Sequence, residues 1–216
     1  MPVIWDEALF NQAYSRGYNR AAYWRNDCLV HYQIQLAKTE LNMPNFNRNS
    51  NVLTPGCGFG YLMEVMIDLG ATSVWGSDIS PYIQANKATE ARSDIAPLIF
   101  DINVADVDAQ AQFAAVGAGG QGGNAGKFQW IVSEHVVEGF DIQTELTELT
   151  AYLDGLDNLL ASGGQTGIVH LFAGLLPDDP HDHSLNMTWQ TLEDWVPYAP
   201  HHYWIDIHDW RMGGGA

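Results

Sequence analysis

The chain has 216 residues, 46% hydrophobic and 12% aromatic, which is enough apolar side chain for one full core and excludes a disordered polymer. Nine Lys plus Arg stand against 26 Asp plus Glu, a formal charge of -17 that repels nucleic-acid backbones and anionic membrane surfaces alike. Two cysteines, an N-terminus without a basic start and no apolar run near ~20 residues exclude a disulfide scaffold and a membrane span, so a soluble, cytoplasmic protein is expected.

Residues 1–46 read as a helical extension: Trp5, Leu9, Ala13 and Tyr14 can share one face, and Cys28, Tyr32, Ile34 and Leu36 fall in a second helical stretch. The segment NMPNFNRNSN breaks that period with Asn and Pro. From residue 47 to 216 short apolar runs alternate with helical patterns, the texture of βαβ units. Strands are expected at Asn51–Thr54, Ser73–Asp78, Pro97–Asp101, Phe128–Ser133, Thr166–Phe172 and Tyr203–His208. Helices are expected at Tyr61–Leu69, from Ser80-Pro81 (a hydroxyl cap before a first-turn proline), at Thr144–Ala161 and at Thr188–Val196. The predicted fold class is α/β, with a mostly parallel sheet and helices on both faces. The tract Gly117–Gly126 reads as a flexible surface loop.

The first strand runs into Pro55-Gly56-Cys57-Gly58-Phe59-Gly60, a turn in which glycine lets the backbone approach a ligand closely. Asp78 ends the next strand and is placed to accept hydrogen bonds from ribose hydroxyls. A dinucleotide site needs a third glycine where Tyr61 stands, which argues against a nicotinamide oxidoreductase.

The spacing G-x-G-x-G resembles that of class I S-adenosylmethionine-dependent methyltransferases. VLTPGCGFG and VWGSDIS are similar to that family's first two motifs, and the Pro-Gly-Cys-Gly turn resembles the thiopurine-type branch. Phe100-Asp101-Ile102 and Phe128–Phe140 resemble the third and fourth motifs. The resemblance implies a Rossmann-like methyltransferase fold with S-adenosyl-L-methionine as cofactor. It implies that Gly56, Cys57, Gly58 and Gly60 admit the cofactor, that Asp78 and Ile79 hold its ribose side, that Asp101 and Ile102 frame adenine, and that Ser133 lies at the mouth. Many members carry an acid where this chain has Thr54, to orient the cofactor's methionine amine; Thr54 cannot neutralise an ammonium. The family sheet commonly ends in an antiparallel pair, whereas one clear strand follows Thr188 here.

Methyl transfer aligns donor and acceptor, excludes water and, for many acceptors, removes a proton. His135 is the candidate base because an unperturbed imidazole titrates near neutrality, with Glu134 beside it. Tyr18, Trp24, Glu138, His181 and His183 are candidate substrate-facing residues. His181-Asp182-His183 lacks the further ligands of a closed metal site, so no metal is expected. His170 reads as a core histidine, and His201 and His202 as lying where a strand starts. The expected function is methylation of a small-molecule oxygen or nitrogen acceptor, with self-association or an assembly partner open. The alternative is a non-catalytic methyltransferase fold serving as a structural component of an assembly such as a virus particle.

Overall fold

A computed structural model describes residues 32, 33, 36, 39, 40, 45–137, 140, 146–172 and 201–206. The chain runs through β1 (Asn51–Pro55), α1 (Tyr61–Asp68), β2 (Ser73–Ser77), α2 (Pro81–Glu90), β3 (Ile99–Phe100), α3 (Ala109–Ala115), β4 (Trp130–Glu134), α4 (Leu146–Leu159), β5 (Gly167–Phe172) and β6 (His202–Asp206). The strands form one sheet in the order β3-β2-β1-β4-β5-β6. Every pairing is parallel, with Leu53 opposite Trp75, Ile131 opposite Ile168, and Val169 opposite Tyr203.

Period-two alternation along the central strands builds two cores, one on each face. Val52, Trp130, Val132, Val169 and Leu171 pack with Leu62, Met63 and Met66 of α1 and with Leu36. Leu53, Ile131 and Ile168 face Phe113 of α3 and Leu149, Leu153 and Leu156 of α4. Each fully buried Leu or Phe contributes about 1.5–3 kcal/mol relative to exposure, so the two layers together hold the sheet. The helix start at Ser80 is as expected: its Oγ lies 3.5 Å from the Ile83 N–H, with Pro81 in the first turn. Tyr32, Gln33, Leu36, Thr39 and Glu40 are helical, and Leu36 and Thr39 are buried. The expected positions at Trp5, Leu9, Ala13, Tyr14, Cys28 and Ile34, and the helix at 188–196, lie outside the described residues.

Four local features differ from expectation. β3 is two residues long instead of five, because Pro97 sits in a 3-10 turn over Ala96–Leu98. β4 starts at Trp130, and Phe128 makes only a single bridge to Leu160. Ala109–Ala115 is a helix that the apolar period did not announce. The glycine tract is a compact packed loop: Gly126 lies so close to α3 that a Cβ there would come 2.1 Å from the Gln110 carbonyl oxygen.

Close approach also decides a helix interior. Gly155 lies in the middle of α4, and a Cβ on it would meet the Val104 carbonyl oxygen at 2.1 Å. The loop that follows β3 thus rests directly on the helix backbone. His170 is fully buried on β5, stacked on Trp204 with ring centroids 4.0 Å apart, and burial lowers its pKa well below the ordinary imidazole value. It is a neutral core histidine, in agreement with the reading of the sequence.

Candidate active site

In a parallel sheet the carboxyl ends of all strands open on one rim, and ligands bind where the strand order reverses. Here that point lies between β1 and β4. β1 delivers Gly56, Cys57, Gly58 and Gly60; β2 delivers Asp78; β3 delivers Asp101; β4 delivers Glu134 and His135.

The turn needs its glycines. Gly56, Gly58 and Gly60 take φ values of 65°, 55° and 79°, a region that side chains with a Cβ disfavour. A Cβ on Gly56 would also lie 2.5 Å from Val136 Cγ2, and one on Gly60 would lie 2.6 Å from Ile95 Cγ2. Gly60 caps α1 in the left-handed conformation, and its carbonyl accepts from the Glu64 N–H at 2.8 Å. Cys57 turns inward: a Cβ on Gly76 would meet its Sγ at 2.6 Å, so the thiol fills the space that Gly76 leaves. Burial first, and then the Asp78 charge, push the thiol pKa well above its ordinary value. Cys57 is a packing residue with a protonated sulfur.

Asp78 ties the turn to the next helix. Oδ2 accepts from the Gly58 N–H and Oδ1 from the Ser80 N–H, both at 2.9 Å. Its backbone N–H donates to the Phe100 carbonyl at 3.0 Å, and Gln84 Nε2 donates to its carbonyl at 2.5 Å. Desolvation raises the carboxyl pKa, partly offset by the two backbone N–H donors, while the Asp101 charge adds to the rise. A carboxylate has about four lone-pair sites, so about two remain for hydroxyl donors. Ile79 and Asp101 are exposed beside it, and Ile102 is buried in the second core. A glycine turn next to a fixed carboxylate with spare acceptor capacity is chemistry that suits a nucleoside's hydroxyls.

Three other residues are placed by the sheet. Thr54 is buried and its Oγ1 donates to the Trp75 carbonyl at 3.2 Å, so the hydroxyl is committed to the β1–β2 ladder. The Ser133 hydroxyl pairs with Tyr152 Oη of α4 at 2.7 Å, within the β4–β5 ladder where Ser133 lies opposite His170. His135 has φ 51°, the one positive-φ non-glycine among the described residues, and its N–H donates to the Leu171 carbonyl at 3.0 Å. Its Nε2 lies 3.8 Å from Glu134 Oε1, within ion-pair reach when the ring is protonated. The bond to Leu171 holds this strand end in a backbone region that side chains sparsely populate. Tyr18, Trp24, Glu138, His181 and His183 lie outside the described residues.

Residues 29–212 match the methyltransferase domain family. The chain belongs to that family. S-adenosylmethionine-dependent methyl transfer is the family's activity, with S-adenosylmethionine as the cofactor. Similar solved structures include magnesium protoporphyrin IX methyltransferase from Synechocystis PCC 6803 with bound SAM, at 18% identity over 74% of each chain with a TM-score of 0.42. The same enzyme with bound SAH aligns at 17% identity over 71% of this chain and 68% of that one, with a TM-score of 0.42. No curated protein matches the chain by sequence. Among the described residues no helix is long and apolar enough to cross a membrane.

Sequence reasoning missed two residues of this site. Val136 packs on Gly56, and Gln84 holds the Asp78 main chain. A glutamine four positions after a helix cap gives no sequence signal of that contact.

Proposed function

We propose that the protein transfers a methyl group from S-adenosylmethionine to an oxygen or nitrogen of a small molecule. The observation that carries this reading is the Asp78 carboxylate bridging the glycine turn at Gly58 and the helix start at Ser80. Asp78 would hold the ribose hydroxyls, Gly56, Cys57, Gly58 and Gly60 would line the donor's path, and Ile79, Asp101 and Ile102 would frame the adenine. The main chain of Ser133 would close the mouth. His135 would take the acceptor proton, with Glu134 stabilising the imidazolium that results. Residues 1–46 would form a lid over residues 47–216, and Tyr18, Trp24, Glu138, His181 and His183 would address the acceptor. The net charge of -17 favours a neutral or cationic small molecule over a nucleic acid. The Pro55-Gly56-Cys57-Gly58 form of the turn supports a place near the thiopurine-type branch.

The test is calorimetric titration with S-adenosylmethionine, followed by a screen for S-adenosylhomocysteine release across metabolite pools. Binding plus turnover with one small-molecule class supports the proposal. Folded protein that gives no heat would instead indicate a structural role for the fold.

A further inference from the structure

At the rim opposite the glycine turn, a second group of chemically active side chains converges. Asp157 lies near the end of α4, and His201 and His202 lie at the start of β6. Both imidazoles reach one carboxylate oxygen: His201 Nε2 is 2.7 Å and His202 Nε2 2.8 Å from Asp157 Oδ1. The three donor atoms all lie within 4.8 Å of one another. We propose that Asp157, His201 and His202 form a binding site for a divalent first-row transition ion of the zinc type, which clamps α4 to the edge strand β6.

The donor set argues for that class of ion. Two imidazole nitrogens and one carboxylate oxygen suit zinc, cobalt, nickel or iron, whereas magnesium and calcium prefer oxygen alone. Tetrahedral zinc with bonds near 2.0 Å needs donor atoms about 3.3 Å apart, so each histidine nitrogen draws back from Asp157 Oδ1 by roughly half an ångström. The Asp157 and His201 side chains are one-third exposed (33% and 34%), while that of His202 is fully buried, so an ion can enter from solvent against an inner anchor.

A supporting residue stands behind that anchor. His202 Nδ1 lies 3.1 Å from His170 Nε2, and His170 is fixed by its stack on Trp204. With the ion on Nε2 of His202, the ring proton sits on Nδ1 and donates to His170. Metal-bound histidines are commonly oriented by such a partner on the other ring nitrogen. The parallel register puts this group at the amino ends of the strands, because Ile168 and His202 pair early in β5 and β6. It is therefore separate from the cofactor rim.

The experiment uses the full chain stripped with EDTA. Zinc chloride should bind with one-to-one stoichiometry by calorimetry and raise the melting temperature, while magnesium chloride should do neither. Cobalt should give visible absorption bands of imidazole coordination in the wild-type protein. His201→Ala and Asp157→Ala should each weaken zinc binding at least about tenfold, and His170→Phe about 10–100-fold. His181→Ala combined with His183→Ala should leave binding unchanged. The proposal is overturned if zinc leaves the melting temperature unmoved or cobalt stays without those bands. It is equally overturned if binding survives His201→Ala, or disappears in the His181/His183 double variant. The cobalt spectrum requires no variant, so it decides the matter even if a substitution prevents folding.

Discussion

The Asp78 carboxylate accepts the Gly58 N–H at 2.9 Å across 20 residues of sequence. That bond fixes the glycine turn against β2, and the second bond, to Ser80, fixes the start of α2. One side chain thus holds both backbone segments that a nucleoside would touch. Asp78→Ala should remove these charge-assisted bonds and the ribose contact together. S-adenosylmethionine affinity should fall by about 2–4 kcal/mol, roughly 30- to 1,000-fold, by calorimetry on protein whose circular dichroism is unchanged.

The same carboxyl sets a pH dependence. Its pKa is raised above the ordinary carboxylate value, chiefly by desolvation. Ribose hydroxyls donate to the ionised form, so affinity is full above the raised pKa and is lost as pH falls through it. Binding should release protons as the pH falls into the range where this carboxyl titrates. Titrations in buffers of different ionisation enthalpy measure that release, and proton uptake would contradict the assignment.

Gly155→Ala sets two effects against each other. In an exposed helix interior the change gains about 0.8–1 kcal/mol from helix propensity. At Gly155 the new methyl would meet the Val104 carbonyl oxygen at 2.1 Å and Ala105 Cα at 3.1 Å. Backbone cannot yield as a side-chain tip can, so a net loss of about 1–3 kcal/mol is expected. Urea denaturation checks the sign. The displaced loop carries Asp101 and Ile102, so cofactor affinity should fall as well.

Ser133 and Tyr152 form a buried hydroxyl pair at 2.7 Å. Either Ser133→Ala or Tyr152→Phe breaks this buried hydrogen bond and should cost about 1–3 kcal/mol. The double variant should be less destabilised than the sum of the two, and a denaturation cycle reads that coupling.

His135→Ala and His135→Gly separate chemistry from strain. Both remove the proposed base and should lower kcat by about 10²–10⁴ with little change in KM. Glycine also relieves the φ of 51°, so the glycine variant should melt higher than the alanine variant.

Much of this was legible in the sequence because local chemistry dictated it. Asn51–Pro55 and Gly167–Phe172 are apolar runs of strand length, and Ser80-Pro81 carries its helix start in two residues. The turn at Gly56–Gly60 and the acid at Asp78 were readable because spacing along the chain sets their meeting. α3 was not, since AQAQFAA buries only Ala109 and Phe113 and so presents a weak apolar stripe. The compactness of the glycine tract was hidden as well, because it arises from contact with Gln110, not from the tract's own composition. Asp157 and His201 stand 44 residues apart and meet only through the pairing of β5 with β6, which no local pattern encodes.

Because the six described strands run the same way, their carboxyl ends all open on one edge and their amino ends on the other. The bend at residues 162–165, between α4 and β5, belongs to the amino-end edge; its residues are exposed, and Ser162 and Gln165 offer ordinary backbone on either side of Gly163 and Gly164, whose positive φ requires glycine. A fluorophore, an affinity handle or a surface tether installed there would leave the opposite edge open to substrate, giving an immobilised catalyst or a binding reporter from the same scaffold.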